Sequence, residues 1–287
     1  SIVFIHGFTG HPERTWVCKK GTPAHREGGI AGHDTAELTS KVRKLNPFST
    51  PSTPVYWPRD LLPTTVPDAR ILTYGYDTRV RHWAGPQVSK STVYDIAWDF
   101  LVALERERQS DPLRPVLFVA HSLGGIVTKE MLRRSNGCTL AQSHLHRIFR
   151  STLGIMFFGT PHSGADPRRF FHRVFENMIR AAGYQVNEQI VNTLLPSAER
   201  LRELRDEFGP MAQNQHWTIH SFQEQYGFTV LGGRKVVDDT SSYLGIPDIE
   251  VHEHIAQDHV HMCQFSGLED PEYRKVASAF RRFVKKL

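Results

Sequence analysis

Ser122 stands in the run Ala120-His121-Ser122-Leu123-Gly124-Gly125. The apolar stretch Val116-Leu117-Phe118-Val119 precedes it, and Ile126-Val127-Thr128-Lys129-Glu130-Met131-Leu132, with helical spacing, follows. Strand, sharp turn and helix with a serine at the apex is the setting that lifts a hydroxyl clear of a sheet as a nucleophile. Ala120 and Gly124 flank the serine two residues away on either side, where a tight turn brings backbones together and a larger side chain would clash. Gly125 lets the new helix lie close to the sheet. The helix N-terminus next to the serine favours developing negative charge. Alanine replaces the more common glycine at position 120, the smallest departure available. The bland alternative is a serine in an ordinary strand-to-helix turn.

A second motif opens the chain. Ser1-Ile2-Val3-Phe4-Ile5 is a nearly continuous apolar run, as expected of a strand buried on both faces, and His6-Gly7-Phe8-Thr9-Gly10 follows at once. A glycine-rich turn there can aim a backbone N–H at the acyl oxygen of a bound ester, with a second donor from the residue after the nucleophile. The Phe8 and Leu123 amides are thus the expected oxyanion hole, with Thr9 as an adjunct.

Taken together, Phe4-Ile5-His6-Gly7-Phe8-Thr9-Gly10-His11, Ala120 to Gly125 and Phe158-Gly159-Thr160-Pro161-His162-Ser163-Gly164 resemble the α/β-hydrolase serine esterases. The similarity is to the lipase-like set that includes the serine-active-site-containing proteins and the GPI inositol-deacylase type. It extends to the N-terminal hydrolase domains of fungal NACHT and ankyrin-repeat signalling proteins. Trp57-Pro58-Arg59-Asp60-Leu61-Leu62-Pro63 and Leu72-Thr73-Tyr74-Gly75-Tyr76-Asp77 fit the same pattern, so the resemblance covers nearly the whole chain. It implies an α/β-hydrolase fold, a mostly parallel central sheet with helices on both faces and a helical cap insertion. It implies little about substrate.

That fold orders the catalytic groups as serine, acid, histidine. Serine alone is a weak nucleophile, so an imidazole must take its proton and a carboxylate must orient that imidazole. Of the 16 histidines, only those after the late strands can serve. Gln257-Asp258-His259-Val260-His261 looks like the family's Asp-His loop, which selects His259, with His261 as the alternative and His252 or His254 behind it. Asp258, adjacent to His259, reads as a loop-shaping neighbour. The resemblance places the acid in a Ser-Phe-x-Glu run, here Ser221-Phe222-Gln223-Glu224, and so at Glu224. Asp238 and Asp239 are the runners-up. Asp77 precedes the serine and reads as a structural strand-end carboxylate, while His162 and Ser163 read as pocket lining.

The elements that must position these groups alternate between strands and helices. A flap loop is expected over residues 22–53. Leu61-Leu62 then leads into a strand at Arg70 to Tyr74. A helix with Val93, Ile96, Ala97, Phe100, Leu101 and Leu104 at its apolar spacing stops at Asp111-Pro112. A buried strand from Gly154 to Phe158 delivers Thr160-Pro161-His162 to the sheet edge where ligands bind. Residues 166–208 hold two helical stretches, rich in Phe170, Phe171, Val174, Phe175, Met178 and Ile179, then Leu194, Leu195, Leu201 and Leu204. Cap over the site and ordinary inward packing are equal readings of them. Trp217 to Gln223 is the next strand, Lys235-Val236-Val237 a short one, and Pro271 opens a terminal helix.

Composition agrees with one α/β-hydrolase domain over residues 1–287, since 39% hydrophobic residues can build a large core. The net charge of +5, from 35 basic and 30 acidic groups, is mild. No basic stripe interleaved with stacking aromatics suggests nucleic acid. Arg274, Lys275, Arg281, Arg282, Lys285 and Lys286 crowd the final helix, which reads as a solvated face, with peripheral contact to anionic lipid as the alternative. Cys18, Cys138 and Cys263, odd in number and far apart, suggest a reducing compartment, and an intracellular, cytoplasmic location is the expectation. No metal pattern and no cofactor is expected. The abrupt start without methionine suggests a domain of a larger multidomain protein. Two functions follow as expectations: a serine hydrolase of carboxylic esters, most plausibly lipid esters, or a hydrolase-fold signalling module with weak, gated or no activity.

Overall fold

The structure, a computed structural model, describes residues 1–8, 10–19, 53–77, 92–162, 167–181 and 197–286. In chain order these form β1 (Ile2–Ile5), β2 (Val17–Cys18), β3 (Val55–Tyr56), α1 (Trp57–Asp60), α2 (Leu62–Thr65), β4 (Ile71–Tyr74), α3 (Val93–Glu107) and β5 (Val116–His121). Then come α4 (Leu123–Asn136), α5 (Ser143–Ser151), β6 (Thr152–Phe158), α6 (Pro167–Ala181), α7 (Ala198–Asn214), β7 (Thr218–Glu224), β8 (Glu250–Ile255) and α8 (Pro271–Val284).

Six strands form one sheet in the order β4-β1-β5-β6-β7-β8, every pair parallel. A parallel sheet needs cover on both faces, and alternate residues divide accordingly. Val3, Ile5, Phe118, Ala120, Ile155 and Phe157 enter one core with α3, α4 and α5. Phe4, Leu117, Val119, Met156 and Phe158 enter a second core with Trp16, Trp57 and α8. Ile5 pairs with Ala120, Ala120 with Phe157 and Phe157 with Ser221. The C-terminal ends of β1, β5, β6 and β7 therefore lie side by side, and the turns that follow them share one edge. The long helix α3 starts from a capping box in which Thr92 and Asp95 satisfy each other's backbone N–H groups.

Three expectations need correction. Leu61-Leu62 is part of two short helical turns, α1 and α2, rather than a lead-in to extended chain. Lys235-Val236-Val237 is not a strand: Val236 and Val237 are buried without entering the sheet, and only Arg234 forms an isolated bridge, with Phe228. The late strand is instead β8, Glu250 to Ile255. The second helical stretch runs past Phe208 to Asn214, with Pro210 inside it. The expected flap at residues 22–53, together with Thr9, Ser163, Leu194 and Leu195, lies outside the described residues.

Close approach of α4 to β1 demands the glycines after the serine. A Cβ on Gly124 would lie 2.5 Å from the His6 carbonyl oxygen and 2.6 Å from that of Ile5. Those are backbone atoms that cannot swing aside, so overpacking should cost about 1–3 kcal/mol. Gly124→Ala is expected to lower the thermal midpoint by several degrees. Gly267→Ala, where a Cβ meets nothing within 4 Å, should leave it unchanged. Equal midpoints for the two variants would show that this contact is not tight.

Candidate active site

Ser122 joins β5 to α4 with φ 57° and ψ −122°, a backbone state that non-glycine residues rarely adopt. The chain is held there from both sides. The Ser122 N–H donates to the Phe158 carbonyl at 2.8 Å. Its own carbonyl accepts from Gly125 N–H at 3.0 Å and from the Thr160 hydroxyl at 3.3 Å. A Cβ on Gly125 would fall 2.2 Å from Thr160 Oγ1, and one on Gly7 would fall 2.7 Å from Ser122 Cβ. Glycines on both sides thus make room for the turn.

The Ser122 hydroxyl lies 3.0 Å from His259 Nε2. His259 is carried by the loop after β8, which Asp258 folds: its Oδ1 accepts from the amides of Val260 and His261 at 2.9 and 3.0 Å. Behind the imidazole, Nδ1 is 3.3 Å from Glu224 Oε1. The alignment falls short of a hydrogen bond, since neither Nδ1 nor Glu224 Oε2 has a hydrogen-bond partner. Resting sites often tighten such contacts only when loaded. Glu224 ends β7, and its Oε1 also accepts the Val237 N–H at 2.7 Å. The segment that sequence reading took for a strand is therefore a strap that holds this carboxylate. Gln223 Nε2 anchors the same strap through the Asp239 carbonyl and Ser242 hydroxyl. Ser122, His259 and Glu224 are all nearly sealed, at 1%, 3% and 1% exposure.

The turn after β1 lies against the serine. Tyr76 stacks on His6 with centroids 4.4 Å apart, donates its hydroxyl to the His6 carbonyl at 2.7 Å and its amide to Nε2 at 3.3 Å. Because Nε2 accepts there, the His6 proton sits on Nδ1, 2.9 Å from the Gly7 carbonyl. Burial, above all, lowers the His6 pKa to about 4. Phe8 is buried beyond this turn, and Leu123 is the first residue of α4.

Helix α6 covers this edge. Met178 Sδ is 3.3 Å from the Ser122 hydroxyl, and Phe175 meets Phe8 edge-on with centroids 5.3 Å apart. Phe171, Val174, Phe175, Met178 and Ile179 belong to the same core as α3 and α4. Their inward packing and their position over the serine are one arrangement.

The alternative site residues are engaged elsewhere. His261 Nδ1 binds Asp258 at 2.8 Å, a bond that raises the His261 pKa. His254 faces Asp239 at 3.2 Å, and His252 stacks on Tyr243. Asp239 also pairs with Lys235 at 2.6 Å, and Asp238 is exposed. Asp77 follows the end of β4 on an exposed stretch. His162 is buried against Phe157 with both ring nitrogens unpartnered, and burial, with Lys129 nearby, holds its pKa well down. On α8, Arg274 pairs with Glu269, Lys275 with Glu272, and Arg282 contacts His220. The three cysteines are free. Among the described residues no group of His, Cys, Asp and Glu is placed to hold a metal ion, and no helix is long and apolar enough to cross a membrane. Nothing in the sequence pointed to the Val237 amide, whereas Met178 belonged to the stretch for which a cap over the site was one of two equal readings. A backbone N–H leaves no mark in a sequence.

No protein-family model matches the chain. It is similar to mouse Protein SERAC1, with 26% identity over 262 residues, covering 86% of this chain and 34% of that protein. Human Protein SERAC1 is 26% identical over 299 residues, covering 99% of this chain and 39% of the relative. The chain thus spans between 34% and 39% of the length of these curated relatives. Among solved structures, the lipase BlEst2 of Bacillus licheniformis in its propeptide form superposes with a TM-score of 0.50. The two are 14% identical, and the match covers 96% of this chain and 49% of that one. A parallel six-stranded sheet flanked by helices, a strained serine between β5 and α4, and this superposition give one conclusion about architecture: the chain has the α/β-hydrolase fold.

Proposed function

We propose that this domain is a serine hydrolase that cleaves carboxylic esters, lipid esters foremost, through an acyl-enzyme on Ser122. The observation that carries the reading is the 3.0 Å approach of His259 Nε2 to the Ser122 hydroxyl. It occurs at the sheet edge, with a carboxylate behind the imidazole. Fold alone would not suffice, because one fold hosts many functions.

In the proposed reaction, Ser122 Oγ attacks the acyl carbon as its proton passes to His259 Nε2. The Nδ1 proton then faces Glu224, which orients the ring and stabilises its charged form. Charge on the former carbonyl oxygen is met by the Phe8 and Leu123 amides, each worth about 3 kcal/mol in the transition state. His259 returns the proton to the departing alkoxide, and water, activated by the same imidazole, releases the acid and frees Ser122. Met178, against the serine hydroxyl, and the Phe8–Phe175 pair supply apolar surface that suits an acyl chain. No step needs a metal ion.

The signalling-module reading of the sequence keeps one specific support. Ser122 is 1% exposed and Met178 occupies the approach to its hydroxyl. This favours an enzyme that is gated by α6.

A fluorophosphonate probe is expected to label the wild-type domain and not Ser122→Ala; a folded wild type that stays unlabelled even with α6 loosened would contradict the reading. On a short p-nitrophenyl ester, Glu224→Gln should lose about three to four orders of magnitude in kcat, and Asp238→Asn should lose little. The reverse ranking would reassign the acid. Met178→Ala removes the thioether over Ser122, so labelling should quicken severalfold; an unchanged rate would mean that α6 does not limit access.

A further inference from the structure

One buried histidine takes no part in this chemistry yet touches the residue that does. His121, the last residue of β5, directly precedes Ser122. Its Nε2 lies 2.9 Å from the backbone carbonyl oxygen of His259, and the two rings are 5.0 Å apart. Burial, with the neighbouring His259 second, lowers the His121 pKa to about 3. The ring is therefore neutral at working pH and carries a single N–H. A carbonyl oxygen can only accept, so that hydrogen is on Nε2. Nδ1 is then bare, and it is buried without a partner. It faces Gly7, 3.0 Å from the position a Cβ there would take.

The remaining ties of the His259 loop lead elsewhere. The Gln225 and Tyr226 amides hold the Gln257 carbonyl, at 3.0 and 3.2 Å, and so fasten the loop to the end of β7. Trp57 Nε1 holds the Cys263 carbonyl at 2.9 Å, on the other face of the sheet. Asp258 organises the loop internally. His121 joins the loop to the strand that carries the serine, through the backbone of the residue whose imidazole must reach it.

We propose that His121 is a positioning residue: its Nε2–H grips the His259 carbonyl and so sets the distance from the His259 imidazole to the Ser122 hydroxyl. The role rests on the reaction proposed above. A neutral donor suits it, because an ammonium or guanidinium here would oppose the charge His259 takes up during attack. Leaving Nδ1 without a donor is the cost of the arrangement.

The test compares His121→Leu, which has no donor, with His121→Gln, whose amide nitrogen reproduces the reach of Nε2. Both are measured on a p-nitrophenyl ester after their thermal midpoints are compared. A misplacement of about 1 Å can cost about 100-fold, so the leucine variant should lose about that factor in kcat with KM within about twofold. The glutamine variant should regain most of it at a similar midpoint. A leucine variant within threefold of wild type, or a glutamine variant as slow as leucine, would overturn the proposal. A crystal structure of His121→Leu judges it without turnover. The Ser122–His259 separation should open beyond hydrogen-bond range, and an unchanged separation refutes the role even if the wild type hydrolyses nothing. Absence of wild-type hydrolysis with an opened separation would count against the esterase reading alone.

Discussion

Ser122 must hold a left-handed φ that side-chain-bearing residues avoid, and much of the surrounding architecture serves that constraint. A backbone state of this kind costs about 1–3 kcal/mol and persists only where its neighbours leave no alternative. Here the Phe158 carbonyl holds the serine amide, while Gly125 and Thr160 hold its carbonyl. Gly7, Gly124 and Gly125 remove the side chains that would push β1, α4 and the β6 turn apart. Parallel pairing of β1, β5, β6 and β7 brings these partners to one edge. The sheet, its glycines and the strained residue are thus parts of one solution to placing a hydroxyl.

Burial does a second job, which is to fix protons. His6, His121 and His162 are all driven toward the neutral state by desolvation. For the first two, their hydrogen-bond partners then dictate the tautomer: Nδ1–H in His6, Nε2–H in His121. Neutral rings around His259 leave Glu224 as the carboxylate behind its Nδ1, 3.3 Å away. Glu224 is itself held by a backbone amide at Oε1, which aims a carboxylate without adding a competing charge.

Much of this was legible in the sequence because it is local. The serine turn declares itself through small residues at fixed offsets, and β1 and β5 through apolar runs that only a doubly covered strand needs. Chain order and the Asp-His setting that the resemblance supplies singled out His259, the ring that lies 3.0 Å from the Ser122 hydroxyl. What failed was the late sheet. Glu250-Val251-His252-Glu253-His254-Ile255 reads as polar because β8 is an edge strand with Val251 half exposed. Val236 and Val237 read as a strand because they are buried, yet they are buried to bring an amide to Glu224. Propensity registers burial and cannot tell sheet pairing from a clamp. The contact of Met178 with Ser122 depends on how α6 docks, a tertiary matter that helical spacing does not encode.

The central claim is that Ser122 is a nucleophile whose charged product is received by two backbone amides. It is tested most directly by a crystal structure of the domain after reaction with a fluorophosphonate. The account predicts phosphorus bonded to Ser122 Oγ, fluoride lost, and a phosphoryl oxygen about 2.7–3.1 Å from both the Phe8 and Leu123 nitrogens. An adduct whose phosphoryl oxygen points away from both amides, or phosphorus attached to a different side chain, would contradict it.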